Sequence, residues 1–404
     1  MENRPTKKTN ASPIDELSFD NTAIAFAAKD QKALKLTYRI YQLMNYPWLV
    51  GLGTKMVNKS LSWGMMKNTV KNTLYRHFCG GETLSECAHF VDQLWQSGVY
   101  AILGYSVEGK ATDEEYDKAT QETIRYVRFA SQREAVPFAA FKITGVAPFA
   151  LLEKIQSKQV LTEAEELAWE KAKDRVDAIC AAGYEHNVRI LIDAEETWIQ
   201  DPIDEIADAM MDQYNREQVI VYNTYQMYLQ RGLSFLQKSL EKAKANGYTL
   251  GAKVVRGAYV EKERNRAKEM GYDDPLNPDK NATDQMYNQA VEYCLQNLNE
   301  MALFAGTHNE QSCYHIAQLT QKLGVAANNP QLFFGQLYGM SDNITFNLAK
   351  AGFNVIKYVP YGTVQDVMPY LFRRAQENTA IAGQSNREYE LVKKEIKRRK
   401  NAGK

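Results

Sequence analysis

The 404-residue chain contains neither a GxGxxG fingerprint nor a GxxxxGK[ST] loop. Both motifs gather backbone N–H groups around phosphates, so their absence argues against Rossmann and P-loop folds. No stretch approaches the ~18 uninterrupted apolar residues of a membrane-spanning helix. The opening MENRPTKKTNASPIDELSFDNT has no apolar run of signal-peptide length. The expectation is a soluble chain, cytoplasmic or at most peripheral at the inner face of a membrane. Cysteine is sparse: Cys79, Cys87, Cys180, Cys294 and Cys313 form no CxxC pair and lie too far apart for a disulfide framework, which favours a reducing compartment. Charge of one sign is also missing. With 49 basic and 49 acidic residues there is no field for broad attraction of nucleic acid. No 20–50-residue repeat points to a solenoid. His77-x-Cys79 and Cys87-x-His89 have spacings unlike closed zinc sites, and no HxH or HExxH pattern occurs, so no metal is expected.

What the chain does have is a rhythm of short β-type runs between long polar–apolar helical stretches. The runs are VYAILGYS from Val99, VPFAAFKITG around Lys142, VRILIDAE to Glu195, VIVYNTY to Tyr225, YTLGAKVVRGAY to Tyr259, MALFAGTH to His308, QLFFGQLYG to Gly339 and FNVIKYVPYG to Gly362. Eight buried-type strands alternating with helices predict an α/β fold with a closed (βα)8 TIM-like barrel. An open doubly wound sheet has the same alternation and is the competing architecture. Residues from about 25 to 130 read as mostly helical. The expected organisation is therefore an N-terminal helical region over 1–95, a catalytic barrel over 96–380 and a basic tail over 381–404.

Polar residues collect at the strand exits: Lys142, Asp193 with Glu195 and Glu196, Asn223 with Gln226, Arg256 with Tyr259, His308 with Asn309, and Tyr358. Taken singly, each reads as a salt bridge, a helix cap or a core histidine. Together they would share the face on which barrel enzymes work. Beyond Tyr358-Val359-Pro360-Tyr361-Gly362 come Tyr370, Arg373, Arg374 and Glu377, spaced for neighbouring helical turns. Two adjacent arginines with an aromatic one turn back form a receptacle for a small carboxylate. The tail is basic from Lys393 onward without interleaved aromatics, which favours a solvated, frayed helix over a nucleic-acid or lipid contact.

These strand exits carry a resemblance. IDAEE at 192–196, YNTYQMYLQ at 222–230, KVVRGAYVEKERNRAKEMGYDDPLNP at 253–278, THNE at 307–310, FFGQLYGMSD at 333–342 and KYVPYGTVQDVMPYLFRRAQEN at 357–378 resemble the proline dehydrogenase family of flavoenzymes in its monofunctional form. The similarity runs from about residue 95 to 380. It implies a distorted (βα)8 TIM-like barrel whose last helix, here Tyr370 to Glu377, lies over the strand ends; the additional N-terminal helices rest on apolar periodicity instead. It also implies that Arg373 and Arg374, aided by Lys142, bind the proline carboxylate. Tyr259, Leu337, Tyr358 and Tyr370 would pack around the ring, Asp193 would orient Lys142, Glu377 would hold the helix, and Glu108 would pair with the second arginine. For the implied FAD, Asn223 and Lys253 would face the isoalloxazine. Asp193, Val221, Val255, Gly257, Ala258, Tyr259, Thr283, Thr307, His308, Asn309 and Glu377 would supply further contacts. Asn223 then stands where glutamine is usual in bacterial bifunctional members, and Lys253 where arginine is.

The reaction so implied is hydride transfer from proline C5 to FAD N5, giving 1-pyrroline-5-carboxylate, with reoxidation by a membrane quinone. The second oxidation would fall to a separate pyrroline-5-carboxylate dehydrogenase in transient contact. No nucleic-acid partner is expected. The rivals are a 4-hydroxyproline dehydrogenase on the same scaffold, a metal-dependent barrel hydrolase or aldolase, and a non-enzymatic module acting through the basic tail.

Overall fold

The computed structural model describes residues 14, 16–44, 71–105, 112–364, 367, 371 and 384–403. All eight expected strands are present: β1 Val99–Tyr105, β2 Phe138–Lys142, β3 Arg189–Asp193, β4 Val221–Gln226, β5 Leu250–Val255, β6 Met301–Gly306, β7 Leu332–Leu337 and β8 Val355–Tyr361. Their hydrogen-bonded order is β1-β8-β7-β6-β5-β4-β3-β2. Pairing of the first strand with the last, and the absence of the order reversal that defines a doubly wound sheet, make this a (βα)8 TIM-like barrel. Among the described residues no helix is long and apolar enough to cross a membrane.

The chain divides into two compact units, 108–335 and the combination of 1–107 with 336–404. In the first, parallel register runs from Phe138↔Arg189 and Lys142↔Asp193 through Thr224↔Lys253 and Lys253↔Phe304 to Gly306↔Gly335. Which side chains point inward is settled by rings. Phe138 on β2 meets Tyr222 on β4, Phe304 on β6 and Phe333 on β7 at centroid distances of 5.5, 5.4 and 5.0 Å. Strands that are not neighbours can exchange such contacts only across the concave face of the sheet. Alternation then turns Thr224 and Gln226 inward with Tyr222, while Val221, Asn223 and Tyr225 face the helices. The helices start where the sequence supplies caps: Thr112 with Glu115 and Thr162 with Glu165 form capping boxes before Asp113–Ser131 and Glu163–Glu185.

β5 stops at Val255 rather than continuing to Tyr259. Gly257 adopts φ +129°, and the Tyr228 ring lies 2.5 Å from where a Cβ would sit. A side chain there would be both strained and in collision, so the strand gives way to a turn that delivers Tyr259 to the start of helix Val260–Met270.

In the second unit, β1 and β8 pair from Val99↔Val355 to Tyr105↔Tyr361. Helices Thr22–Ala25, Gln31–Met44, Leu84–Gln96, Asp342–Lys350 and Gln384–Ala402 belong to it, and Phe26, Leu34, Ile40, Tyr41, Phe78, Leu391 and Val392 share one core. The basic tail is helical, as expected, but it is docked. Arg399 donates to the carbonyls of Phe26 and Lys29 at 2.7 Å each, tying the tail to the turn that follows helix Thr22–Ala25. Only its outer face fits the solvated reading.

A polar cluster is buried in the same unit. Lys357, fully buried, pairs with Asp342 at 3.0 Å and donates to the Met340 carbonyl; Lys29 reaches the other Asp342 oxygen at 3.2 Å. Burial opposes the Asp342 charge, yet Lys29 and Lys357 hold its carboxyl down at about 2. Glu388 accepts from the Tyr41 hydroxyl and from the Ser341 N–H at 3.0 Å, and burial pushes it up to about 7. The folded protein thus holds a proton at Glu388 that the unfolded chain, at its ordinary 4.5, has released. This contribution is favourable below the unfolded value and is lost as pH rises through the folded one. Wild type is therefore expected to lose about 3 kcal/mol relative to Glu388→Gln as pH rises across that interval. Urea unfolding of both proteins at about pH 5 and about pH 8 measures this, and a pH-independent difference would contradict it.

Candidate active site

The C-terminal ends of β2 to β6 carry the residues that the sequence pattern singles out. Lys142, the last residue of β2, donates to the Tyr259 hydroxyl at 2.8 Å and lies 3.9 Å from Glu195 Oε2. Its side chain keeps 40% of its surface exposed, so the ammonium has an open side. Burial of the other side would lower its proton affinity. The fields of Tyr259, Glu195 and Asp193, with the Tyr259 hydrogen bond, outweigh that and hold Lys142 above the usual lysine value. Burial in turn raises the Tyr259 phenol, even against Lys142. At neutral pH the pair is therefore an ammonium donating to an intact hydroxyl.

Asp193, closing β3, pairs in register with Lys142. Its oxygen accepts from Lys253 on β5 at 2.5 Å, across the inward Thr224. Its ion-pair partner is Lys253, so it acts on Lys142 through its field, and the carboxylate within 4.0 Å of Lys142 is that of Glu195.

Asn223 also departs from expectation. Fully buried, it donates to Asp204 of helix Thr197–Tyr214 at 2.8 Å, on the helix side of β4. It cannot face a ligand on the concave side, and Val221, of the same parity, cannot either. Gln226 can: its carboxamide donates to the Glu195 carbonyl at 2.9 Å, and it pairs in register with Val255. The strand-exit pattern included Gln226, but its role was given to Asn223. Two further inward positions have no side chain. At Gly306 a Cβ would lie 3.0 Å from Val255, and at Gly335 it would strike the Phe304 ring at 2.3 Å.

A second cluster forms past β5 and β6. Arg256 pairs with Asp284 at 2.6 Å, donates to Thr307 at 2.7 Å and Ser312 at 2.9 Å, and lies over the Tyr287 ring at 4.3 Å. Thr307 also accepts from the Asn309 N–H at 3.1 Å, and Asn309 caps helix Glu310–Lys322 through Ser312. His308 sits between them in the loop. Thr283 donates to the Asp279 carbonyl in the first turn of helix Lys280–Gln296, and Ala258 is exposed beside Gly257. Thr307, His308, Asn309 and Arg256 are thus brought together, while Thr283 immediately precedes Arg256's partner Asp284.

In the other unit, Tyr358 on β8 lies over β1, where a Cβ on Gly104 would fall 2.0 Å from its hydroxyl. Leu337 is partly buried against that unit's core. Glu108, Tyr370, Arg373, Arg374 and Glu377 lie outside the described residues.

Comparison with known proteins adds the decisive observation: the family model described as Proline dehydrogenase matches residues 87–387. The chain belongs to the proline dehydrogenase family. Family membership makes it an oxidoreductase. Among relatives, it is 34% identical to the carbapenem antibiotics biosynthesis protein CarD of Pectobacterium carotovorum subsp. carotovorum over 80% of this chain and 83% of that protein. It is 30% identical to the mitochondrial proline dehydrogenase 1 of Dictyostelium discoideum (94% and 74% covered) and 30% identical to the hydroxyproline dehydrogenase of Xenopus laevis (95% and 90% covered). Among solved structures, the fold is similar to proline utilization A from Bdellovibrio bacteriovorus, with a TM-score of 0.72 at 17% identity, covering 95% of this chain and 42% of that one.

Proposed function

We propose that this member of the proline dehydrogenase family oxidises L-proline to 1-pyrroline-5-carboxylate, with FAD as its cofactor and a membrane quinone as the final electron acceptor. The observation that carries the reading is the half-exposed Lys142 ammonium, fixed by Tyr259 beside the Asp193–Lys253 pair at the strand ends. It combines a cation for a carboxylate with a donor-rich surface for a flat ring.

The concave face fits an isoalloxazine. Gln226 and Lys253 offer N–H donors suited to ring carbonyls and nitrogens, and the missing side chain at Gly306 leaves room beside Val255. When bound, FAD supplies the two-electron acceptor for hydride. In this proposal Thr224 and Gln226 take the places first given to Val221 and Asn223. Lys253 and Val255 line the ring. Gly257, Ala258, Thr283, Thr307, His308 and Asn309 serve the rest of the cofactor, near the Arg256 cluster.

Toward substrate, Lys142 binds the carboxylate and Tyr259 packs against the pyrrolidine; the family resemblance assigns Arg373 and Arg374 to the carboxylate as well, and Tyr358 and Tyr370 to the ring. Fixing the carboxylate by charge-assisted contacts fixes C5 with it, which is the chief contribution side chains can make to this step. The product would pass to a separate pyrroline-5-carboxylate dehydrogenase, and contact with quinone places the protein at a membrane surface.

The expected result with purified protein is a flavin absorption spectrum that bleaches on anaerobic addition of proline. A flavin spectrum unmoved by proline would overturn the substrate. A second reading, oxidation of 4-hydroxyproline, is favoured by the hydroxyproline dehydrogenase relative, equal in identity to the Dictyostelium enzyme. Faster bleaching by 4-hydroxyproline than by proline would select it.

A further inference from the structure

We propose that Glu195 is the positioning residue for the substrate-binding cation: it grips the turn that follows Lys142 and sets its carboxyl beside the ammonium. The inference rests on the proline-oxidation reading, in which Lys142 meets the substrate carboxylate.

Glu195 is 3% exposed. Its Oε1 accepts the Thr144 N–H at 3.0 Å and its Oε2 the Thr144 hydroxyl at 2.7 Å. Thr144 belongs to the single turn Ile143–Gly145 that directly follows Lys142. The carboxylate therefore grips the backbone immediately beyond the lysine it faces. Its own backbone is held on both sides, the N–H by Gln200 at 2.7 Å and the carbonyl by Gln226 at 2.9 Å. At 3.9 Å, Oε2 is too far from Lys142 Nζ to accept a hydrogen bond but close enough to act through its field. That separation leaves the ammonium's remaining protons free for a ligand, which a direct bidentate pair would not.

The other charged and titratable groups around Lys142 are already committed. Tyr259 is a neutral hydroxyl that accepts from it. Asp193 is bound by Lys253 at 2.5 Å, and Glu196 by Lys262 at 2.9 Å, whose ammonium also lies 5.5 Å from the Tyr259 ring centroid. Among the described residues Glu195 is the only carboxylate within 4.0 Å of Lys142. Burial raises the Glu195 carboxyl above its ordinary value, against Lys142 and the Thr144 hydrogen bonds. Without Glu195, one of the fields that offset the burial of Lys142 is gone while those of Tyr259 and Asp193 remain, and the lysine would lose its proton at lower pH.

The test uses the flavin-loaded protein and tetrahydrofuran-2-carboxylate, the oxygen isostere of proline, which has no titrating amine. Calorimetry gives its affinity from about pH 6 to about pH 10. In wild type, affinity should hold to the basic end of this range, because Lys142 keeps its proton above the usual lysine value. In Glu195→Gln a basic limb, the deprotonation of Lys142, is expected to enter the range. Thr144→Val, which removes one hydrogen bond but no charge, should leave the profile flat. Repeating the pair in a Tyr259→Phe background excludes the phenol as the titrating group, and the limb should persist. Glu195→Asp withdraws the charge by one methylene and should give an intermediate shift; its absence overturns the proposal even if Glu195→Gln does not fold. Affinity lowered by the same factor at every pH, with no basic limb in the range, would reduce Glu195 to a structural contact. Failure of wild type to bind the isostere would overturn the proline reading instead.

Discussion

Lys142→Met is expected to raise the KM for proline by about 10- to 150-fold, the loss of ~1.5–3 kcal/mol that accompanies removal of a hydrogen bond to a charged group. Methionine keeps the unbranched stem and removes only the charge. The interaction is made with bound substrate and transition state alike, so kcat should change far less than KM. Flavin content should be unaffected, since Lys142 contacts Tyr259 and Glu195 and not the Lys253 side of the cluster. Prolinamide offers a sharper measure. Wild type should discriminate strongly against this neutral analogue, and the variant should do so much less. Steady-state kinetics with both substrates decide it, and an unchanged proline-to-prolinamide ratio would remove Lys142 from the carboxylate site.

Lys357→Met should cost about 3–5 kcal/mol of stability, with little consequence for the site chemistry. Lys357 has no exposed surface, and its partners Asp342, Met340 and Leu337 gain no replacement donor when it is lost. Lys29 would remain to half-neutralise Asp342, so the lower end of that range applies if it can swing closer. Denaturant unfolding measures the loss. The double variant Lys357→Met/Asp342→Leu should recover part of it, because the stranded charge goes with its partner. A loss below about 1 kcal/mol in the single variant would mean that the pair is worth no more than a surface one.

Strand positions were readable because parallel strands buried on both faces appear as unbroken apolar runs. The same property hid their parity. VIVYNTY has no polar–apolar alternation, so nothing in it tells Asn223 from its neighbours. Only the ring contacts of Phe138 with Tyr222, Phe304 and Phe333 show that even-numbered β4 residues face inward. That parity turns Asn223 toward helix Thr197–Tyr214 and Gln226 inward. Pairing was less legible still. Lys142 and Tyr259, or Arg399 and Phe26, are brought together by the fold across most of a unit, and local spacing holds no trace of it. Asp193 and Glu195 are near-equivalent in sequence, and which of them serves Lys142 depends on where Lys253 reaches. The end of β5 was misplaced because Val255 to Tyr259 keeps a strand-like composition, while the backbone is turned aside at Gly257 by its φ of +129°.

All five cysteines are buried as free thiols. Burial pushes Cys87 up to about 12 and the others higher still. The folded protein therefore presents almost no thiolate to an alkylating reagent at neutral pH. A single cysteine introduced at an exposed position such as Lys268 could carry a fluorophore or spin label with every native cysteine left in place. Slow modification of the native thiols would then serve as a clock for opening of the fold.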